Sequence, residues 1–322
     1  MAWSLTRRSL LSLAALLGSG LRLSFAGEER APKSPAPKLG VITDELSEDF
    51  EKALEFISEH SLGYCEVREL WNKNVTRLSQ EELERAKQLI ERNHLKVSEI
   101  ASPLFKYHLP GMPSPRPNWG DTFKAADLTD KDTESLLEQV FRLAPFFGTS
   151  KVRVFSYWRV EDPEKAYPLV RDRLAKAAAM AAQHNITLLL ENETDCNVGT
   201  GKELGRMVRD INSPNLLAMW DPCNALGLGE TPYPDGYREV RGLFRHMHVK
   251  DMKKNGSTGK FQYVPVGKGA IDYRGQFKAL RDDGYEGTMS IETSYVRPDK
   301  DKLEATRECL EGLLSVWKSA SA

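Results

Sequence analysis

Leu188–Glu193 (LLLENE), Leu217–Asn224 (LAMWDPCN), His246–Asp251 (HMHVKD) and Thr288–Thr293 (TMSIET) decide how this chain is read. Each is an apolar run of strand character ending on a side chain able to bind a metal. Side chains alternate faces along a strand. Glu191 therefore shares a face with Leu189 and Thr187, Asp221 with Met219 and Leu217, His248 with His246, and Glu292 with Ser290 and Thr288. The opposite faces (Leu188, Leu190; Leu216, Ala218, Trp220; Met247, Val249; Met289, Ile291) are apolar enough to lie under helices. Carboxylates and an imidazole at the C-terminal ends of successive strands are the arrangement in which a parallel α/β barrel holds its chemistry. Taken singly, a strand-end carboxylate is a solvated cap and a lone histidine is a core residue. Four in matching phase point to one divalent-metal site on Glu191, Asp221, His248 and Glu292.

Outward from these ends, strands and helices alternate from Lys38 onward. The patterns predict earlier strands at Leu39–Thr43, Gly63–Leu70, Val97–Ala101 and Lys151–Ser156. Apolar stripes at helical spacing (Phe50, Ala53, Leu54 and Ile57 in the first case) predict helices over Asp49–His60, Leu169–Gln183, Lys202–Ile211 and Tyr237–Phe244. Ser79 and Glu82 form a capping-box pair opening another helix. Further helices surround Leu136–Phe141 and Phe277–Leu280, and a last one carries Leu303, Leu310, Leu313 and Trp317. Parallel strands need crossovers of this size, so the expected fold is a single (β/α)8 barrel over residues 39–318. Ser102–Asp130 is long, proline-bearing and aperiodic, and reads either as a lid or as a surface excursion. Trp119 and Trp158 read either as apolar walls for a ligand or as packing. Asn255–Gly269 reads as a loop containing Val266-Gly267-Lys268-Gly269. Lys268 stands between glycines that let backbone approach a ligand, and it joins Lys250 and Glu66, near the end of strand two, as a candidate substrate contact.

With 45 Lys and Arg against 46 Asp and Glu, the 322-residue chain offers no basic face for nucleic acid. Its cysteines (Cys65, Cys196, Cys223, Cys309) lack paired spacing, so free buried thiols are expected. Thr6-Arg7-Arg8-Ser9-Leu10-Leu11 opens an apolar stretch reaching Leu17, and Ser24-Phe25-Ala26 fits a small-x-small cleavage site. That stretch is too short for a bilayer, which takes about 20 residues. Residues 1–26 read as a twin-arginine signal peptide, with a lipid-free N-terminal anchor or an ordinary Sec signal as alternatives, and 27–38 as a Pro-rich linker. The expectation is an exported, periplasmic protein with no lasting membrane insertion.

The chain resembles the xylose-isomerase-like barrel superfamily, in its sugar phosphate isomerase/epimerase branch, over roughly Lys38–Lys318. The marks are Leu189-Leu190-Glu191-Asn192, Trp220-Asp221-Pro222-Cys223-Asn224, His248-Val249-Lys250-Asp251, Val266-Gly267-Lys268-Gly269 and Ser290-Ile291-Glu292-Thr293. The resemblance implies one divalent ion on Glu191, Asp221, His248 and Glu292, and it selects His248 over His246. Three carboxylates and an imidazole favour Mn²⁺, Mg²⁺ or Co²⁺, with Zn²⁺ also compatible. It further implies that Glu191 and Glu292 are the acid/base pair on opposite faces of a sugar substrate, working through an enediolate-like intermediate. Epimerases of the family carry histidine three residues after the strand-six aspartate, where this chain has Asn224, an amide that can still bond a sugar hydroxyl. Lys250–Asp272 contains no histidine, so the multi-zinc set of the DNA-repair branch is missing. The expected activity is metal-dependent isomerisation or epimerisation of a keto-sugar. A 3-keto-glycoside lyase or hydratase on the same site and a non-catalytic carbohydrate-binding barrel stand as alternatives.

Overall fold

The computed structural model describes residues 37–115 and 123–320. Its parallel strands are β1 (Lys38–Ile42), β2 (Tyr64–Val67), β3 (Lys96–Ile100), β4 (Lys151–Val154), β5 (Thr187–Glu191), β6 (Leu216–Trp220), β7 (Phe244–Val249) and β8 (Thr288–Ile291). They pair in chain order, and β1 closes the barrel on β8 with Lys38 opposite Thr288 and Val41 opposite Ile291. At least one helix follows each strand, the main ones being α1 (Phe50–Glu59), α2 (Gln80–Arg92), α3 (Thr133–Phe146), α4 (Pro163–Gln183), α5 (Gly201–Ile211), α6 (Pro222–Gly227), α7 (Tyr273–Asp282) and α8 (Lys302–Ser319), with short extra helices at Thr43–Leu46 and Tyr237–Val240. The (β/α)8 expectation is met.

Local chemistry starts these helices where the sequence says it should. The Ser79–Glu82 capping box opens α2, a second box of Thr200 and Glu203 opens α5, and the carboxylates of Asp49 and Asp301 cap α1 and α8. The outward faces of the strands (Val41, Val152, Val154, Leu188, Leu190, Ala218, Met247, Val249, Ile291) are fully buried under the helices. Each large one contributes about 1.5–3 kcal/mol relative to exposure. Inside the barrel the picture changes: Glu66, Glu99, Arg153, His246, Ser98, Thr288 and Ser290 are all buried there, where apolar layers are usual. Gly40 allows β1 to lie against β2, since a Cβ at that position would sit 3.0 Å from Tyr64.

Several boundaries differ from the sequence reading. Strand two stops at Val67, and Glu69–Leu70 instead pairs with Lys73–Asn74 in a small antiparallel hairpin. Helix α4 begins at Pro163 because proline suits a first helical turn. The helix expected over Tyr237–Phe244 is only Tyr237–Val240, and Phe244 already belongs to β7. The expected 255–269 loop contains half of a hairpin, Asp251–Lys254 against Phe261–Val264, joined by the turn over residues 255–260. All four cysteines are free and buried. Among the described residues no helix is long and apolar enough to cross a membrane. The signal-peptide reading of residues 1–26, the linker up to residue 36 and Trp119 lie outside the described residues.

Candidate metal centre

Glu191 closes β5, Asp221 follows β6, His248 lies at the end of β7 and Glu292 follows β8, so adjacent strands deliver all four to one point. One ligand atom from each lies within 4.8 Å of all the others. His248 Nδ1 is 3.0 Å from Glu191 Oε1, 3.2 Å from Glu292 Oε2 and 3.9 Å from Asp221 Oδ2. His246 sits one inward position deeper and takes no part in this group.

Asp221 divides its carboxylate between two tasks. Its Oδ1 caps α6, accepting from Cys223 N at 2.8 Å and Asn224 N at 2.9 Å. Oδ2 faces the cluster. Asn192 supports the same turn: its side chain accepts from Asp221 N and donates to Asp221 O, at 2.8 and 2.7 Å.

The local cations are distributed over the quartet. Lys250 Nζ stands 2.5 Å from Glu292 Oε2 and 2.8 Å from Asp221 Oδ2. Arg153 approaches Glu191 Oε2 at 3.4 Å, and Arg68 approaches Glu292 Oε1 at 3.7 Å. Burial works against the charge on Glu292, but Lys250 and His248 hold its pKa well below the usual carboxylate range. Glu191 is also lowered against burial, by His248 and Arg153. For Asp221 burial prevails over Lys250, and with Glu292 and Glu191 nearby its pKa is pushed up to about 6. His248 resists burial because Glu66, Glu191 and Glu292 surround it, and its pKa lies well above the ordinary histidine range.

Two features fit a cation here. Glu191 Oε2 and Asp221 Oδ2 are buried with no hydrogen-bond partner, although the first makes an ion pair with Arg153 and the second with Lys250. The donor set of three carboxylates and one imidazole is hard and anionic, which suits a divalent ion.

The other predicted contacts separate. Lys250 is buried at the centre. Asn224 is nearly buried and its amide donates to Asn192 O at 2.9 Å, so it braces the β5 and β6 ends. Lys268 is exposed. Its flanking glycines bring backbone close to Asp251: Gly267 N and Gly269 N donate to Asp251 Oδ2 at 3.0 and 2.9 Å, and a Cβ on Gly269 would collide with that carboxylate. Glu66 is fully buried one level below the quartet, where it accepts from His246 and His248. At rim level β2 presents Arg68 instead, two residues on.

Sequence reasoning passed over Arg153, Lys106, Glu99 and Tyr263. Lys106 pairs with Glu193 at 3.2 Å. Around the Phe123 ring, Lys106, Arg68 and Arg153 converge at 4.0, 4.6 and 4.8 Å from the centroid, a cation–π cluster beside the centre. The described part of the 102–130 segment thus packs against the site, and Trp158 is buried as packing. Tyr263, on the hairpin after β7 and opposite Met252, is 44% exposed. Lys250 draws its phenol pKa down, but burial with the nearby Cys223, Glu292 and Asp221 outweighs that and pushes it up to about 12. A cavity of about 550 Å³ opens beside the quartet, lined by Asp44, Glu45, Arg68 and Phe123 among others.

Comparison with known proteins agrees with this architecture. A 3-dehydroshikimate dehydratase of Bacillus anthracis is 22% identical over 167 residues, covering 47% of this chain and 59% of that protein. An inosose dehydratase of Geobacillus thermodenitrificans is 22% identical over 142 residues, covering 40% of this chain and 47% of that protein. The chain therefore spans about half the length of the curated relatives it matches. Among solved structures, the IOLI protein with a bound zinc atom superposes with TM-score 0.68 at 18% identity, over 88% of this chain and 99% of that one. A 3-keto-D-glucoside 4-epimerase from E. coli gives TM-score 0.64 at 16% identity, over 87% of this chain and all of that one (100%). At these identities the superpositions speak to the fold. The family model described as xylose isomerase-like TIM barrel matches residues 48–313, and with the barrel above it shows that this chain belongs to the xylose isomerase-like TIM barrel family.

Proposed function

We propose that this chain is a divalent-metal-dependent isomerase or epimerase of a keto-sugar or related polyol. Glu191, Asp221, His248 and Glu292 hold the ion, with Mn²⁺, Mg²⁺ or Co²⁺ preferred by the oxygen-rich donor set. When bound, the ion polarises a substrate carbonyl and acidifies the neighbouring C–H. The observation that carries the reading is the unequal treatment of the three carboxylates. Asp221 has one oxygen pinned by the α6 amides and a raised pKa, whereas Glu191 beside Arg153 and Glu292 beside Lys250, a cation it shares with Asp221, have lowered pKa values and stay ionised at neutral pH. Ionised carboxylates beside an acidified C–H are bases. In this reading one of the two removes the proton, the other takes a proton from solvent and delivers it to the opposite face, and Lys250 donates a hydrogen bond to a substrate oxygen. The substrate is small and unphosphorylated if the chain is exported through Arg7-Arg8, which we propose with it.

Elimination of a β-hydroxyl or glycosidic oxygen begins with the same abstraction. Both curated relatives described above are dehydratases, and the Lys250 ammonium beside Glu292 is a proton source for a leaving oxygen. One experiment separates the readings. Mn²⁺-loaded protein is incubated in D₂O with ketoses, inososes and methyl 3-keto-glycosides and followed by NMR. Deuterium next to the carbonyl in a product with its skeleton intact supports isomerisation or epimerisation. Loss of water or methanol with enone absorbance supports elimination. Binding of a sugar with neither exchange nor turnover refutes both and leaves a carbohydrate-binding barrel.

A further inference from the structure

Below the quartet, a line of buried polar groups runs down the barrel. His248 presents Nδ1 to the quartet and Nε2 to Glu66, 3.2 Å from both carboxylate oxygens. Glu66 Oε2 is 3.1 Å from His246 Nε2, and His246 Nδ1 is 2.5 Å from Thr288 Oγ1. Glu66, His246 and His248 are entirely buried, and Thr288 is 3% exposed. An ionised carboxylate only accepts hydrogen bonds. Glu66 therefore draws an N–H from the Nε2 side of both imidazoles. With Nε2–H donated, His246 Nδ1 accepts from the Thr288 hydroxyl, and His248 Nδ1 is the nitrogen left to offer a lone pair upward.

We propose that Glu66 is the positioning residue of the metal centre, holding His248 in the tautomer and ring orientation that aim Nδ1 at Glu191, Asp221 and Glu292. His246 and Thr288 hold Glu66 in turn. Carboxylates that accept from the far nitrogen of a metal-binding histidine are a general way to orient the ring, and their loss typically weakens metal binding about 10–100-fold. Glu99 gives the competing interpretation. Its carboxylate oxygens are buried with no hydrogen-bond partner, and with Glu66, His246 and His248 it makes a second group compact enough to hold an ion. In the positioning reading Glu99 only packs beside Glu66, and no second ion binds.

The test measures Mn²⁺ binding to the full chain by isothermal titration, with elemental analysis for stoichiometry and circular dichroism for fold. Wild type is expected to bind one ion. Glu66→Gln is expected to bind it about 10–100-fold more weakly with an unchanged spectrum. Glu66→Asp keeps the charge but shortens the reach and is expected to lose about tenfold. It also serves if the Gln variant does not fold. Glu99→Gln is expected to match wild type. Wild-type affinity in Glu66→Asp would make the effect one of charge alone and overturn the positioning role, as would unaltered affinity in Glu66→Gln. Two ions in wild type, falling to one in Glu99→Gln, would make the deep group a metal site and equally overturn it. A wild type that binds no Mn²⁺ would instead remove the metal-dependent function above.

Discussion

Acidification should drive the ion out along a curve that steepens below about pH 6. In the metal-free protein, against the effect of burial, Glu66, Glu191 and Glu292 raise the His248 pKa well above the ordinary histidine range, with Nδ1 facing Glu191 and Glu292. An ion at Nδ1 must displace the proton there, so binding releases one proton per ion near pH 7. Below Asp221's value of about 6 a second proton must leave from its carboxyl. Glu191 and Glu292 have lowered pKa values and add none in this window, and Lys250 keeps its proton throughout. The sign follows: protons favour the metal-free form, so affinity falls as pH falls. One released proton is worth a factor of ten per pH unit, about 1.4 kcal/mol, and two are worth a hundred. From pH 7 to pH 5 affinity for Mn²⁺ should drop roughly 10³-fold, about 4 kcal/mol. Calorimetry in buffers of different ionisation enthalpy counts the protons directly. A dissociation constant flat between pH 5 and 7, or no proton released at pH 7, would show that His248 Nδ1 is not a ligand.

Asp221→Asn or His248→Ala should abolish stoichiometric metal in elemental analysis with the barrel's circular dichroism retained, because both residues sit at the rim rather than in the packed layers. Full occupancy in both variants would mean the quartet is misassigned. Glu191→Gln or Glu292→Gln should lower turnover at least ~10²- to 10⁴-fold while sugar binding survives; activity indifferent to both would remove the acid/base pair. Replacing Arg7 and Arg8 with lysine should leave precursor in the cytoplasm on fractionation, and unchanged export would withdraw the twin-arginine route.

The quartet was legible because strand phase is a strong constraint. Four runs each carried a ligand type at the same place in a period-2 pattern, and adjacent parallel strands had to bring those ends together. Glu66 escaped correct reading because its depth depends on where strand two stops. Glu66 and Arg68 share the inward phase, and with the strand ending at Val67 Glu66 lies inside the barrel while Arg68 stands at the rim. Glu99 and Arg153 sit in short strands, KVSEI and KVRV, whose neighbours across the barrel cannot be read from either segment alone. The hairpin after β7 did carry a local signal, since Asn255, Gly256 and Gly259 between the two runs are turn-forming residues. The glycines around Lys268 bring backbone close to Asp251, a contact that no pattern in the sequence pointed to.

Asn224 narrows the chemistry that remains. Relatives that place a histidine here have an additional proton carrier one turn into the helix after strand six. In this chain the position holds an amide whose NH₂ is already given to Asn192 O and whose backbone N–H is given to Asp221. It fixes the turn that presents Asp221 and can neither take nor release a proton near pH 7. In the proposed function, proton transfer then falls to Glu191 and Glu292, with Lys250 and the half-exposed Tyr263 as donors. Two bases flanking one acidified carbon can exchange a proton between faces, which is the requirement of epimerisation. Elimination requires in addition a donor next to the leaving oxygen, and Lys250, held against Glu292, is the group placed for it. Lys250→Met should therefore suppress elimination far more than solvent-deuterium exchange, since exchange needs only the carboxylate base. Equal loss of both in an enzyme that still binds its ion would assign Lys250 to electrostatic support of Glu292 rather than to the departing oxygen.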